Sequence, residues 1–282
     1  MMRSLILALA VSALATSATA SSAQRAVTIG GDVTEIVYAL GEGARVVCVD
    51  ETSLYPPAVT KLPKVGYLRT LSAEGILSCK PDLIVASENA GPPAAMAQLE
   101  GAHVKIVKIA EARDPDAVPG KIAKVAEALG VAAKGRALEQ KFRTDLAAAK
   151  AKIAKTTDRP RALFLMSQGP GGLMAAGKET AADAMFTLAH AENVAGGYSH
   201  YKPLTPEAAL AFKPDVIVVA DNAVAMMGGI EAIRARPEIA NTPAGKNGRV
   251  VTMDIMLLLG FGPRTPEALS KLSGELHAAK RH

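Results

Sequence analysis

Leu71-Ser72-Ala73-Glu74-Gly75-Ile76-Leu77-Ser78-Cys79-Lys80-Pro81-Asp82-Leu83-Ile84-Val85 is echoed, 133 residues later, by Leu204-Thr205-Pro206-Glu207-Ala208-Ala209-Leu210-Ala211-Phe212-Lys213-Pro214-Asp215-Val216-Ile217-Val218. Each copy reads as a Ser or Thr helix N-cap, an acidic first turn at Glu74 or Glu207, a short helix, a Lys-Pro-Asp break and a buried apolar strand. Helix-turn-strand order is common to all α/β proteins. The shared Lys-Pro-Asp followed by an apolar run is a tighter match than that order requires, and it predicts two related lobes.

The flanking residues supply the rest of each lobe. Val27 to Gly30 reads as a strand, Asp32 to Leu40 as a helix stopped by Gly41 and Gly43, and Arg45 to Val49 as a second strand. Leu83 to Ala86 and Val104 to Ile109 are further strands, with a helix over Pro93 to Glu100 between them. Short apolar strands alternating with helices predict a parallel sheet covered by helices. Two helical stretches follow, Ala117 to Leu129 and Val131 to Lys155, the second rich in Ala, Lys, Leu and Glu. Thr156 to Pro160 ends it, and a second series begins: strands at Ala162 to Met166, Val216 to Ala220 and Arg249 to Met253, then a closing helix from Pro266 to Ala279. The reading is α/β: two Rossmann-like lobes, 24–130 and 158–282, joined by a single long α-helix over 131–157.

Composition bounds the function. A chain of 282 residues suits two lobes, and 49% hydrophobic residues can fill real cores. The net charge is +5, with no long Lys/Arg run, which speaks against nucleic acid and suits a small acidic ligand. Arg3 followed by the apolar run Leu5 to Ala15 and small residues at Ala18 to Ala23 reads as an export signal, 1–23. In an exported chain Cys48 and Cys79 are free to form a disulfide. Their apolar and element-end settings favour buried free thiols instead.

With only 4% aromatics and no Trp, each Tyr counts. Tyr67 lies in a loop entering the first repeated helix, in Gly66-Tyr67-Leu68-Arg69, and loops at such element ends form binding clefts. Tyr198, His200 and Tyr201 precede the matching helix of the second lobe. A free phenol titrates near ~10. A neighbouring Arg favours the phenolate and ferric iron favours it far more, so Tyr67 with Arg69 is a candidate ferric ligand with its own charge partner. Gly172 to Glu179 nearly spells a phosphate-binding loop, but Glu179 stands where Ser or Thr is required.

The chain resembles the haem-specific periplasmic binding proteins of bacterial ABC importers, within the helical-backbone (class III) superfamily that also carries cobalamin and siderophores. The words that carry the likeness are Gly30-Gly31-Asp32-Val33-Thr34-Glu35-Ile36-Val37-Tyr38-Ala39-Leu40-Gly41, Gly66-Tyr67-Leu68-Arg69-Thr70-Leu71-Ser72-Ala73-Glu74-Gly75, and Leu257-Leu258-Leu259-Gly260-Phe261-Gly262-Pro263-Arg264-Thr265-Pro266. The resemblance implies a monomeric, non-enzymatic carrier in the periplasm of a Gram-negative bacterium. It would receive haem downstream of an outer-membrane receptor and pass it to an inner-membrane permease dimer with its ATPase. It implies Tyr67 as iron ligand, Arg69 beside the phenolate or a propionate, and Glu74 and Glu207 as contacts to Arg residues of the permease. Where some members carry a second haem-binding His, this chain has Met166-Ser167-Gln168-Gly169, which leaves a stacked pair of haems in doubt. His200, Tyr201, Gln168, Met226, Met227, Arg234 and Arg236 are further candidate haem contacts. The rival readings are a cobalamin or ferric-siderophore carrier of the same fold, and a secreted α/β enzyme.

Overall fold

The computed structural model describes residues 24–167 and 172–278. The expected export signal at 1–23 and the candidate Gln168 lie outside the described residues.

The first lobe comprises β1 (Ala26–Ile29), α1 (Gly31–Ala39), β2 (Val46–Val49), α2 (Ala73–Ser78), β3 (Leu83–Ser87), α3 (Pro93–Gly101) and β4 (Lys105–Ile109). Its sheet is parallel throughout, in the order β2-β1-β3-β4. Every residue of β1 is buried, which is why these strands read as unbroken apolar runs rather than alternating ones. Two helices follow, α4 (Val118–Ala128) and α5 (Ala132–Ile153).

The second lobe opens with β5 (Arg161–Ser167), β6 (Leu173–Ala176), α6 (Ala181–Leu188), β7 (Glu192–Asn193), β8 (Tyr201–Pro203), α7 (Pro206–Phe212) and β9 (Val216–Ala220). Four short helices intervene: α8 (Asp221–Met226), α9 (Ile230–Arg234), α10 (Pro237–Ala240) and α11 (Pro243–Lys246). Then come β10 (Val250–Met253), α12 (Ile255–Leu259) and α13 (Thr265–Leu276). Its sheet runs β10-β9-β5-β6-β8, with β7 beside β5. It is mixed, because β6 pairs antiparallel with both β5 and β8.

The linking helix α5 has 22 residues, about 33 Å at 1.5 Å per residue. Gly135, Phe142, Leu146, Ala149 and Ile153 are its buried residues and fall on one stripe. A Cβ at Gly135 would stand 2.5 Å from the Ala126 side chain, so glycine is what lets α5 lie directly on α4. One hydrophobic cluster runs through both lobes by way of Phe142 and Leu146, from Val33 and Val85 to Phe164 and Leu272.

The sequence echo is a structural repeat down to single hydrogen bonds. Ser72 and Thr205 cap α2 and α7 by accepting from the Gly75 and Ala208 N–H groups. Lys80 and Lys213 both adopt left-handed backbone, at φ 48° and 47°. In each lobe an Arg at the start of the first strand closes the break. Arg25 Nη2 donates to the Cys79 carbonyl and its N–H to Asp82; Arg161 Nη2 donates to the Phe212 carbonyl and its N–H to Asp215.

Charged groups also fix the junction between the lobes. Asp32 and Glu35 both project from α1. Arg264, at the start of α13, donates from Nε to Glu35 at 3.0 Å and from Nη2 to the second carboxylate oxygen. Lys121 of α4 pairs with Asp32 and donates to the Phe261 carbonyl at 3.2 Å. Burial pushes the Glu35 carboxyl above the usual carboxylate range, and Arg264 opposes that rise. Beside the pair, a Cβ at Gly31 would lie 2.4 Å from the Met256 methyl, so α1 and α12 meet without room for a side chain.

One sequence expectation is corrected. Cys48 and Cys79 are joined as a disulfide, with their Cα atoms 6.3 Å apart, rather than being separate thiols. The C-terminal end of α2 folds back over β2, so an element-end cysteine meets a strand cysteine that linear context could not pair. Closing a loop of 31 residues, the bridge stabilises the fold by about 3–4 kcal/mol in the chain-entropy account. Urea unfolding of a Cys48→Ala, Cys79→Ala double variant is expected to show a loss of that order. At the lobe junction, Arg264→Gln leaves Glu35 buried without its cation; the same assay is expected to register a loss of about 3–5 kcal/mol.

Candidate functional site

The cleft between the lobes is built from the loops that leave the C-terminal ends of the parallel strands, where α/β sheets present ligand sites. Asp50, fully buried at the end of β2, organises the first of them. Its carboxylate accepts from the Gly30 N–H at 2.9 Å, the Ser53 hydroxyl at 2.7 Å, and both the N–H and hydroxyl of Thr52. The long loop that starts here returns beside β2: the Val49 N–H donates to Pro63 and the Val65 N–H donates to Val49. It ends in the turn that carries Tyr67.

That turn is held on three sides. The Thr70 N–H closes it on the Tyr67 carbonyl at 2.8 Å. The Gly66 carbonyl accepts from the Glu51 N–H at 3.0 Å, which ties the turn to the loop after β2. Gly91, in the loop after β3, donates to Leu68 and accepts from Leu71, both at 2.8 Å. Gly66 enters the turn at φ +98°, a conformation that L side chains rarely adopt. Tyr67 is therefore a rigidly based side chain that remains 41% exposed. Leu54 and Tyr55 of the same loop are exposed as well, a concentration of apolar surface that marks a contact region. Arg69 follows Tyr67 and is exposed.

The second lobe brings Tyr201 against the loop after β4. Burial raises its phenol above the ordinary value, Arg113 lowers it and Glu111 raises it further. Arg113 also bridges the lobes, donating to the Glu179 carbonyl at 3.1 Å while pairing with Glu111. His200 is exposed and lies 3.8 Å from the Glu179 carboxylate. Met226, at the end of α8, is 55% exposed, whereas Met227 packs against the core of its own lobe.

Other candidates are engaged elsewhere. Arg234 pairs with Glu231 at 2.6 Å and donates to the Val250 carbonyl at the start of β10. Arg236 pairs with the buried carboxylate of Glu238 at 2.5 Å. Glu74 and Glu207 are both exposed in the first turns of α2 and α7. The Glu207 carboxyl is held below its usual range by its own backbone N–H and by Thr205. Half of the near phosphate-loop sequence is strand β6. Among the described residues no group of His, Cys, Asp and Glu could hold a bare metal ion.

Sequence reasoning missed Asp50, Tyr55 and Arg113. An isolated Asp at a strand end carries no spacing signal, and the other two act through partners more than sixty residues away.

Two α/β lobes joined by one helix, with the candidate residues on loops at the strand ends, define a solute-binding protein. The family model described as "Periplasmic binding protein" matches residues 27–255, and the chain belongs to that family, whose members bind and carry substrates rather than transform them. The fold is the class III form. The periplasmic heme-binding protein RhuT from Roseiflexus sp. RS-1, in apo form, is 40% identical with a TM-score of 0.88, covering 92% of this chain and 100% of its own. The periplasmic heme-binding protein BhuT, in complex with two hemes, is 45% identical with a TM-score of 0.84, covering 90% and 97%. An uncharacterized ABC transporter substrate-binding lipoprotein, YvrC of Bacillus subtilis, is 31% identical over 86% of this chain and 77% of its own. The vitamin B12-binding protein of Vibrio parahaemolyticus is more distant, 26% identical over 92% and 91%.

Gly66→Ala should lower stability by roughly 1–2 kcal/mol, the cost of a Cβ in left-handed backbone. Thermal melts of the two proteins check this; an unchanged melting temperature would mean that the turn relaxes freely.

Proposed function

We propose that this protein captures haem in the inter-lobe cleft through the phenolate of Tyr67 and delivers it to an inner-membrane ABC importer of a Gram-negative bacterium. The observation that carries the reading is the exposed Tyr67 on a turn fixed by hydrogen bonds from the β2 and β3 loops. Relatives described as heme-binding, 40% and 45% identical over nine-tenths of the chain, support it. Haem brings four nitrogen ligands of its own, so a single tyrosinate completes a ferric site even though no cluster of protein metal ligands exists among the described residues.

The remaining residues fit around that bond. Leu54 and Met226 supply apolar surface for the porphyrin faces, and Tyr201 with His200 borders the cleft from the second lobe. Arg69 favours the phenolate or meets a propionate at the rim. Arg234 and Arg236 are further candidates for the propionates. A mildly positive protein, +5 overall, suits a ligand with two carboxylates. Glu74 and Glu207, one on each lobe in equivalent helix turns, dock on Arg residues of the permease dimer. Exposed ion pairs are individually weak and salt-sensitive, as a carrier that must depart requires.

Cobalamin is the rival cargo, favoured by the vitamin B12-binding relatives at lower identity. A hemin titration followed at the Soret maximum separates the two. The wild type should develop a shifted Soret band and a phenolate-to-iron charge-transfer band, and excess cobalamin should not displace it. Tyr67→Phe should lose the charge-transfer band and bind at least about tenfold more weakly, the loss of one strong metal–ligand or charge-assisted bond. A wild-type spectrum identical to free hemin would overturn the haem reading. An unaltered Tyr67→Phe complex would remove Tyr67 from the iron.

A further inference from the structure

The loop that ends at Tyr67 is gripped from the opposite lobe through one side chain. Tyr55 lies twelve residues before Tyr67, and its ring is stacked on the guanidinium of Arg264 with Cζ 3.5 Å from the ring centroid. On its other side Arg264 is held by both carboxylate oxygens of Glu35. The side chains of this ion pair are only 16% and 7% exposed. Arg264 is thus a finger from the second lobe inserted between two residues of the first.

Tyr55 is not a core residue. It is 40% exposed, and the stacked guanidinium is its one cation–π partner among the described residues. A planar guanidinium already locked by a carboxylate is a good platform for an aromatic ring. Two residues before Tyr55, at Ser53, the loop is hydrogen-bonded on toward the turn that carries Tyr67. Lys64 Nζ donates to the Ser53 carbonyl at 2.8 Å, and the Glu51 N–H donates to the Gly66 carbonyl at 3.0 Å. A shift at Tyr55 has a short route to Gly66 and Tyr67.

We propose that Arg264 is a cross-lobe positioning residue, which steadies the Tyr67 loop through Tyr55 so that parting the lobes loosens the iron ligand. Withdrawing the second lobe pulls the finger from both Glu35 and Tyr55. The hold on haem is then greatest while the lobes keep their resting angle and falls when a docked importer spreads them. The inference rests on Tyr67 as the haem ligand and adds what controls it.

Tyr55 is the position to vary, because Arg264 and Glu35 also stabilise the fold. Tyr55→Phe keeps the ring and the stacking; Tyr55→Leu removes both. Haem transfer from the loaded protein to excess apomyoglobin should be about tenfold faster in Tyr55→Leu, the size of one well-placed cation–π contact, and near the wild-type rate in Tyr55→Phe. In a Tyr67→Ala background Tyr55→Leu should add nothing. Equal acceleration in that background would overturn the proposal, since Tyr55 would then act on haem without Tyr67; an unchanged rate in Tyr55→Leu would overturn it too. Amide exchange in the ligand-free protein gives a readout independent of cargo. The Thr70 and Leu71 N–H groups, which close and anchor the turn, should exchange faster in Tyr55→Leu than in Tyr55→Phe, and equal exchange contradicts the proposal. If hemin fails to bind the wild type, the haem reading falls, and the exchange result alone decides the coupling.

Discussion

Charge buried between the lobes is the constraint on which the cleft depends. Glu35 and Asp32, one turn apart on α1, reach Arg264 and Lys121, and Lys121 continues to the Phe261 carbonyl. Removing charges from water is costly, and such pairs are favourable only when every partner is in place. They therefore act less as a reservoir of stability than as a register: α1, α4 and the segment leading into α13 fit together in one arrangement. The close approach of Gly31 to Met256 enforces the same arrangement sterically. With the linking helix α5 packed on α13 behind them, these contacts hold the two lobes in one arrangement in the ligand-free protein.

A preformed cleft changes what the binding residues must do. A carrier that closes on its ligand by a large motion uses much of its binding energy on that motion. Here the turn bearing Tyr67 is already fixed by hydrogen bonds to the loops after β2 and β3, so a phenolate ligand would meet iron with little reordering. One strong bond to a cargo whose remaining surface is apolar also suits release, because weakening that bond frees the whole ligand.

Much of the fold was legible in the sequence. The repeated Lys-Pro-Asp segments announced two related lobes, and the apolar strand runs and the long Ala/Lys/Leu/Glu helix gave their order. The mixed edge of the second sheet was not legible. β8 has three residues and includes Pro203, and β6 lies inside the Gly172 to Glu179 stretch that resembled a phosphate loop, so neither carries a strand period. The four short helices before β10 are broken by Gly228, Gly229, Pro237 and Pro243, too short to show a helical period. The disulfide was misread because bonding depends on a distance that composition does not report. Among the candidate site residues, Tyr67, Arg69 and the paired Glu74 and Glu207 stood out by their words. Arg234 and Arg236 were candidates by charge alone, and their ion pairs with Glu231 and Glu238 became visible only with geometry.

The account stands or falls on the bond between iron and Tyr67. A crystal structure of the protein loaded with hemin tests it most directly. The account predicts a porphyrin edge-in between the lobes, its iron bonded to the Tyr67 phenolate oxygen and the Glu35–Arg264 pair intact behind it. A porphyrin outside the cleft, or iron bound by another side chain with Tyr67 turned away, would contradict it.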